Sequence, residues 1–430
     1  MVQPHSSVSM PNLRTEQLLT WWQRSLIGML LLTIVAYGLS LAMESTPSLV
    51  LQSSLQAGWN VLHDKGMYDE QPRVYRGPPL MAIAAAPFGH SSSGNGASDS
   101  VPYPVTRALW FFVNVLCFWL ATHWLVSLLE TIKNHVAPLR WWLHRLLPLL
   151  LLIVPLADSL QEGFADGVLL LVITALVISL TRWQFFAAGL ALAFAMCLQL
   201  TAMALLFIPI WRRDRVMSIG VMCGLLFCLV LLPGLMFGLQ HTNQLNEQYV
   251  NIIKQYGQEA LGEEQNHSLA SLVKQVLTTT SADRDQWALA IALSCLGLLT
   301  LFSCGLMGFR EELDPLRLFH FIGSLLIITL LAHPLSALHS YSLLVPSVIG
   351  ILRVVWNPAT SHRVKMNLTV SLATMLALIS LPLHQPVLPL FGVIVCWLVN
   401  AVLLYRSSSS RQITSTAPSR HLLVTLPETA

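Results

Sequence analysis

The sequence predicts an all-α polytopic membrane protein, and three observations carry this prediction. Of the 430 residues, 54% are hydrophobic and only 10% are charged, whereas soluble domains are about a quarter charged. The mean hydropathy is +0.63. Several apolar runs approach the roughly 20 residues that a spanning helix needs, and they lack the alternating polarity of barrel strands. Because backbone groups in lipid must be paired within their own segment, we expect these runs to be helices.

The distribution of Arg and Lys orients the predicted helices. Arg14 and Arg24 precede the first apolar run at residues 25–43, and the cytoplasmic flanks of membrane helices carry an excess of positive charge. The N-terminus is therefore expected in the cytoplasm. A first outer loop follows at residues 44–104 and a second at 239–285, and the basic clusters outside the first outer loop all fall inside.

The same pattern defines the organisation of the chain. Residues 1–24 form a short cytoplasmic segment, and residues 25–405 form a single integral membrane domain. Residues 406–430 are basic and rich in Ser and Thr, which is typical of a disordered tail. We expect a multi-pass protein of the cell membrane, with both termini in the cytoplasm.

One apolar run, residues 185–211, conflicts with a simple topology. As a single span it would carry Arg212, Arg213 and Arg215 to the outside, against the charge rule. The conflict disappears if the run is two half-helices, broken near Gln199, that enter the membrane and return. Counting the broken pair as two, the sequence predicts about 11–12 membrane helices.

Both outer loops contain amphipathic segments. Leu51, Leu55, Gly58, Trp59 and Leu62 share one helical face, which predicts a helix lying on the outer leaflet. The second loop has apolar residues at helical spacing in two segments, 243–256 and 268–277. These two are interpreted as interfacial helices or as helices packed on the protein's own outer surface.

Polar residues within the predicted spans argue against an ion-coupled carrier. Such carriers place acids or bases at membrane depth, but the spans hold Asn114, His123, His320 and Asn400 and no mid-span Asp, Glu or Lys. The seven cysteines form no CxxC pair, so no metal site is indicated. The small net charge of +3 gives no reason to expect a nucleic-acid partner.

Charged residues collect instead at the predicted outer face. They are Glu44, Asp64, Lys65, Asp69, Glu70, Arg73, Arg76, Asp158, Glu162, Asp166, His333 and His339. Carboxylates beside cations at a membrane surface suit group transfer from a lipid phosphate. A carboxylate can take the proton of an acceptor hydroxyl, and a cation can stabilise the departing phosphate. The alternative is that these are solvated charges of wet loops.

Four separated pieces of the chain resemble glycosyltransferase family 87, which comprises membrane enzymes of the GT-C class. The first piece combines Ala57-Gly58, Leu62, Gly66, Tyr68-Asp69, Tyr75 and Pro78-Pro79. The second is the small-residue run that breaks at Gln199, where the family has Lys. The third is the segment from Asn266 to Leu269, and the fourth is HPLSALHSYSLLVP, which contains His333, His339 and Pro346.

The resemblance implies a GT-C-like fold and an inverting glycosyl transfer at the outer face. The donor would be a polyprenyl-phosphate sugar, often mannose, and the acceptor a lipid-linked or cell-envelope glycan. No cofactor is implied, because the donor carries its own activation. The matching residues are candidates for substrate binding: Tyr68, Arg73, Tyr75, Arg76, Gln199, Asn266, His333 and His339.

The chain departs from the family pattern at the catalytic acid. The family has an Asp shortly before the Ala-Gly pair, but residues 45–63 contain no acid, and residues 50–52 occupy its region. Asp64, Asp69 and Glu44 are the candidate replacements. The alternative is a catalytically silent homologue, or a protein that binds or translocates lipid-linked sugars. Simpler interpretations also exist for Glu44, as an interface charge, and for Asn266, as a helix cap.

Overall fold

The fold is built from helices alone. The computed structural model describes residues 13–44, 48–63, 65–68, 75–90, 101–130, 138–260, 266, 268–277, 284–308, 314–332, 337–380 and 387–415. Within these ranges all regular structure is helical, which confirms the predicted all-α class.

The helices follow one another along the chain with short connections. They are α1 Leu13–Met43, α2 Leu49–Leu62, α3 Pro79–Ala85, α4 Tyr103–Leu129, α5 Pro138–Leu151, α6 Ile153–Glu162, α7 Asp166–Thr181, α8 Phe185–Leu198, α9 Phe207–Arg212, α10 Arg215–Leu226, α11 Leu232–Phe237, α12 Leu239–Ala260, α13 Leu269–Val276, α14 Arg284–Met307, α15 Pro315–Ala332, α16 Val345–Trp356, α17 His362–Ser380 and α18 Val387–Ser415. Tighter 3-10 segments occupy Ala86–Phe88, Leu200–Leu206 and Leu338–Leu344, and a π-helical segment, Phe227–Leu231, joins α10 to α11.

Among the described residues, seven helical segments are long and apolar enough to cross a membrane. An eighth candidate is the pair α5 and α6, which bends by 66°. The sequence predicted one span at 144–157 and missed this bend. Its physical cause is Pro155, which has no N–H to donate to the Leu151 carbonyl one turn earlier and whose ring clashes with that carbonyl. Helix α5 accordingly ends at Leu151.

The predicted break at Gln199 is confirmed. Helix α8 ends at Leu198, and Gln199 has an extended backbone with φ −156° and ψ 130°. Helices α8 and α10 then run in the same direction, because Gly189 contacts Gly220 and Gly224 contacts Ala193. Two consecutive helices can be parallel only if the chain between them runs back, so the segment from 200 to 212 returns alongside α8.

Small residues make this parallel contact close. A Cβ on Gly189 would collide with the Met217 carbonyl, and one on Gly224 would lie 2.5 Å from the Ala193 Cβ. Glycines at such positions let two helix backbones approach within van der Waals contact, as is common inside membranes. The small-residue run of α8 therefore has a packing role.

Helix α2 packs on the protein with part of its predicted face. Leu51, Leu55 and Gly58 are buried, and Leu62 at the end of the same face is 58% exposed. A Cβ on Gly58 would lie 2.7 Å from the Ala86 backbone nitrogen, which shows how closely α2 lies on the α3 segment.

The second loop also carries the predicted helices. Helix α12 packs through Leu245 into a cluster with Tyr68 and Tyr75, and α13 packs through Ala270 onto Ala292 of α14. Both helices therefore rest partly on the protein's own surface.

Helix α15 forms the centre of the bundle. Every residue from Arg317 to Leu331 is buried, and α14, α16, α18 and the segment Leu200–Leu206 surround it. Polar groups predicted inside the spans are paired with one another there: His320 Nδ1 lies 2.8 Å from Asn400 Oδ1. Such pairing lowers the cost of burying polar groups in an apolar bundle.

Candidate functional site

The α6–α7 turn gathers three acids at one end of the bundle. Helix α6 ends at Gly163, whose φ of 74° is in the left-handed region that glycine adopts without steric cost. Asp158 and Glu162 lie one helical turn apart on α6, and Asp166 begins α7. None of the three forms an ion pair with a residue in the described part of the chain.

The N-terminus of α2 docks directly on this turn. The Ser48 hydroxyl donates to the Glu162 carbonyl and accepts from the Leu51 N–H at 3.3 Å, so it also caps α2. A Cβ on Gly163 would lie 2.7 Å from the Leu51 Cβ. The indole N–H of Trp110 donates to the Gly163 carbonyl at 2.8 Å. Residues 50–52, where no acid was found, therefore lie against the α6–α7 turn.

His339 reaches the same turn from the 3-10 segment Leu338–Leu344. Its ring stacks on Phe164 at a centroid distance of 3.5 Å and an interplanar angle of 10°. Its backbone N–H donates to the Asp158 carboxylate, and its Nε2 lies 3.2 Å from the Ser340 hydroxyl. With 6% exposure, the imidazole is held in one plane beside the acids.

Asp166 is completely buried at the start of α7, just before the apolar run that begins at Gly167. Within the described residues, neither carboxylate oxygen has a hydrogen bond of regular geometry, although the Ser159 and Ser342 hydroxyls lie near enough to interact with it. Burial, and then the Asp158 charge, raise the pKa of Asp166 to about 7, against the lowering effect of the two hydroxyls. This carboxyl can therefore hold a proton near neutral pH.

Glu44, a predicted base, lies at the same end of the bundle but is bound to a cation. Its carboxylate accepts from Arg107 at 3.0 Å, and the Arg107 side chain is only 6% exposed. Tyr37 lies within electrostatic range of Glu44, Arg107 and Asp158. This pair joins the end of α1 to α4, which gives Glu44 a structural role whether or not it also acts as a base.

Tyr68 and Tyr75 form a separate aromatic cluster. Their rings stack at 5.7 Å, and Tyr68 also stacks on Tyr249 of α12 at 6.4 Å. The Tyr68 hydroxyl donates to the Gly77 carbonyl at 3.1 Å, and the Tyr75 hydroxyl donates to the Pro78 carbonyl at 2.8 Å. Both hydroxyls serve the local packing of the first loop, and their substrate contacts stay a prediction.

The remaining predicted residues are scattered. Arg76 is exposed and Gln199 is half-buried at the end of α8. The Asn266 side-chain oxygen accepts from the Ser268 N–H at 2.8 Å. The N-cap of α13 is Ser268 itself, whose hydroxyl accepts from the Ser271 N–H, so Asn266 is not the capping residue and orders the turn before it. Four candidates lie outside the described residues: Asp64, Asp69, Arg73 and His333.

The sequence contained a signal for these acids, although sequence reasoning did not select them as site residues. Asp158, Glu162 and Asp166 were counted among the outer charges, yet Asp158 and Glu162 have the four-residue spacing of one helical face. Asp166 lies beyond the Gly163 turn, on the next helix. In the part of the chain that the structure describes, no three His, Cys, Asp or Glu side chains are arranged to hold a metal ion.

Comparison with protein families identifies the chain. The sequence profile of glycosyltransferase family 87 matches residues 75–334, more than half of the chain, and this range includes the acidic turn and Gln199. His339 and α2 lie beyond it. A comparison with curated proteins found no significant match. With this match and its wholly helical membrane fold, the chain belongs to glycosyltransferase family 87, which makes it a membrane glycosyltransferase.

Proposed function

We propose that the protein transfers a mannose-like sugar from a polyprenyl-phosphate donor to a lipid-linked or cell-envelope acceptor. The observation that carries this proposal is the meeting of His339 with the acids of the α6–α7 turn at one end of an apolar bundle. A lipid-linked donor would keep its polyprenyl chain in the bilayer and present its phosphate at this end. The proposal also takes this end to face the outside, as the charge rule predicts.

The chemistry follows from the groups that meet there. The acceptor hydroxyl attacks the anomeric carbon, so that the configuration inverts, while a carboxylate takes the hydroxyl proton. Hydrogen-bond donors fixed near the phosphate stabilise the charge that develops on the leaving group. His339 is suited to this second role because Phe164 fixes the plane of its ring. Arg76, which is exposed, and Arg73 are further candidate phosphate ligands.

The second candidate function is binding or translocation of lipid-linked sugars without transfer. It is favoured by the lack of an acid at residues 50–52 and by the engagement of Glu44 with Arg107. A translocator would need a polar path through the bundle, whereas most of the buried residues of α15 are apolar. Binding without catalysis is therefore the stronger of the two alternatives.

A transfer assay distinguishes these functions. The purified full-length protein in lipid nanodiscs is given radiolabelled polyprenyl-phosphate mannose and membrane lipids, and labelled lipid products are separated from donor. We expect transfer by the wild type. Glu44→Gln, Asp64→Asn and Asp69→Asn are compared, since loss of a general base lowers kcat by roughly 100- to 10,000-fold. Glu247→Gln, an exposed acid on α12, is the matched control. Donor binding with no transfer from any polyprenyl-phosphate sugar supports the binding function instead.

Sidedness is tested separately by chemical labelling in intact cells. Arg76→Cys and Arg215→Cys introduce exposed thiols at positions expected on opposite sides of the membrane. A membrane-impermeant maleimide should label the first variant above the wild-type background and the second only after permeabilisation. The reverse pattern would place the acidic turn in the cytoplasm.

A further inference from the structure

The missing acid of the first loop has a neighbour that can replace it. The region 50–52 lies against the α6–α7 turn, as the contact between Leu51 and Gly163 and the hydrogen bond from Ser48 to Glu162 demonstrate. The last turn of α6, which carries Asp158 and Glu162, therefore lies next to the segment in which the family motif has its Asp. Movement of the acid from α2 to α6 keeps a base at this end of the bundle.

The surroundings of each acid decide which one can act. Glu44 is bound to Arg107 at 3.0 Å, and Asp166 has no exposed surface that an acceptor could reach. Asp158 is half-buried and is oriented by the backbone N–H of His339. A general base must be accessible and held in one position. Asp158 meets both conditions.

Buried polar groups lie behind Asp158 and interact with one another. The Ser342 hydroxyl comes from a different element than α6, is fully buried, and forms no hydrogen bond of regular geometry with a described residue. It lies near the Asp166 carboxylate, whose two oxygens also form no hydrogen bond of regular geometry with a described residue. Burial of polar groups is costly unless they are paired, so the Ser159 and Ser342 hydroxyls stabilise the Asp166 carboxyl behind Asp158.

We infer that Asp158 is the catalytic base of the glycosyl transfer and that Asp166 is a positioning residue behind it. This inference rests on the proposed function. In the step, the acceptor oxygen forms a bond to the anomeric carbon, and the bond from that carbon to the phosphate oxygen breaks. The bonding electrons leave with polyprenyl phosphate, and the proton of the acceptor hydroxyl goes to the Asp158 carboxylate.

The test separates catalysis from folding and binding. Asp158→Asn keeps a side-chain oxygen that can accept from the His339 N–H, so the fold and donor binding should be retained. We expect kcat for transfer from polyprenyl-phosphate mannose to fall about 100-fold or more. Binding of the radiolabelled donor, measured by filter retention of nanodiscs, should stay within about twofold. Glu247→Gln should match the wild type in both measurements.

A second-site variant strengthens the test. Val50→Asp or Gln52→Asp, each combined with Asp158→Asn, returns an acid to the surface of α2 that borders the turn. Both positions are half-exposed, so they can accept a carboxylate without disrupting the core. Partial recovery of kcat in either double variant would show that the two helices serve one catalytic position.

Each outcome has one meaning. If the wild type transfers and Asp158→Asn is equally active, the role of Asp158 is overturned while the proposed function stands. If Asp158→Asn loses donor binding together with activity, Asp158 is a structural residue and the inference fails. If the wild type transfers no sugar from any polyprenyl-phosphate donor, the proposed function fails and the inference falls with it.

Discussion

The two ends of the helix bundle differ in how their acidic side chains are partnered. At the end where α4 meets α5, Arg145 is 2% exposed and donates to Glu130 at 2.8 and 3.1 Å. Its Nε donates to His123 at 2.9 Å, and its guanidinium lies 4.0 Å above the Trp141 ring. At the opposite end, Asp158, Glu162 and Asp166 have no cation of the described chain in an ion pair with them.

This difference indicates which end of the bundle has a structural role and which has a chemical one. A buried ion pair that is saturated with hydrogen bonds holds its helices together but offers nothing to a substrate. Buried carboxylates without such partners raise the energy of the fold, and they are typically kept where a proton must be moved. The end that contains Arg145 is therefore interpreted as a structural clamp, and the end that contains His339 as the reaction site.

The largest expected effect comes from opening the clamp. Arg145→Met removes the guanidinium and leaves Glu130 without its main partner, which typically costs about 3–5 kcal/mol for a buried pair. The free energy of unfolding, measured by detergent titration in mixed micelles, should fall by this amount. Arg215→Met changes an exposed arginine at the start of α10 and is the control. An equal, small loss in both variants would contradict the distinction between the two ends.

At the acidic end, the stability of the protein should depend on the protonation of Asp166. The pKa of Asp166 is about 7 in the folded protein against an ordinary value of 3.8, so the folded chain keeps a proton that the unfolded chain releases. The resulting stability is fully present below about pH 4 and is lost as pH rises through 7. A shift of this size corresponds to at most about 4 kcal/mol.

Asp166→Asn tests this sign directly. Because asparagine stays neutral, the unfolding free energy of the variant should depend less on pH between 4 and 7 than that of the wild type. Paired thermal melts in detergent at pH 4.5 and 7.5 measure the difference. Glu247→Gln should preserve the wild-type pH dependence. A variant that is relatively less stable at pH 7.5 than at pH 4.5, compared with the wild type, would exclude a raised pKa.

Sequence patterns predicted the local elements well for identifiable reasons. Hydropathy marked the helices, and the charge rule located the break at Gln199, because a continuous helix would have carried three arginines to the wrong side. The bend at Leu152 was missed, although Pro155 was visible in the sequence. The size of the bend angle depends on how α5 and α6 pack, and a local sequence pattern does not predict that packing.

The candidate site was harder to predict because its parts are far apart in the chain. His339 was found through a motif, and Asp158 lies 181 residues before it. Their contact depends on the packing of the 3-10 segment Leu338–Leu344 against α6. Periodicity cannot report such a contact. The search for a base therefore stayed in the first loop, where the motif suggested it, and passed over the acids of the α6–α7 turn.

A smaller effect is expected where α2 meets the acidic end. Gly163→Ala places a Cβ 2.7 Å from the Leu51 Cβ at a residue with φ 74°. The left-handed backbone alone costs about 1–2 kcal/mol for a residue with a side chain. Both stability and transfer rate should fall, because α2 must move away from the turn. Gly297→Ala is the control, since a Cβ there meets nothing within 4 Å. Full transfer activity in the Gly163→Ala variant would show that the contact between α2 and the turn is not needed for transfer.

The smallest expected effect concerns the ion pair between Glu44 and Arg107 at the acidic end. Glu44→Gln should lower the unfolding free energy by about 1 kcal/mol or less, the value typical of exposed pairs. The Glu44 side chain is 39% exposed, and glutamine keeps an oxygen that can accept from the Arg107 guanidinium. Detergent titration beside Arg145→Met makes the comparison direct. A loss as large as that of Arg145→Met would mean that this pair is a second structural clamp, and the contrast between the two ends would then rest on Asp158 and Asp166 alone.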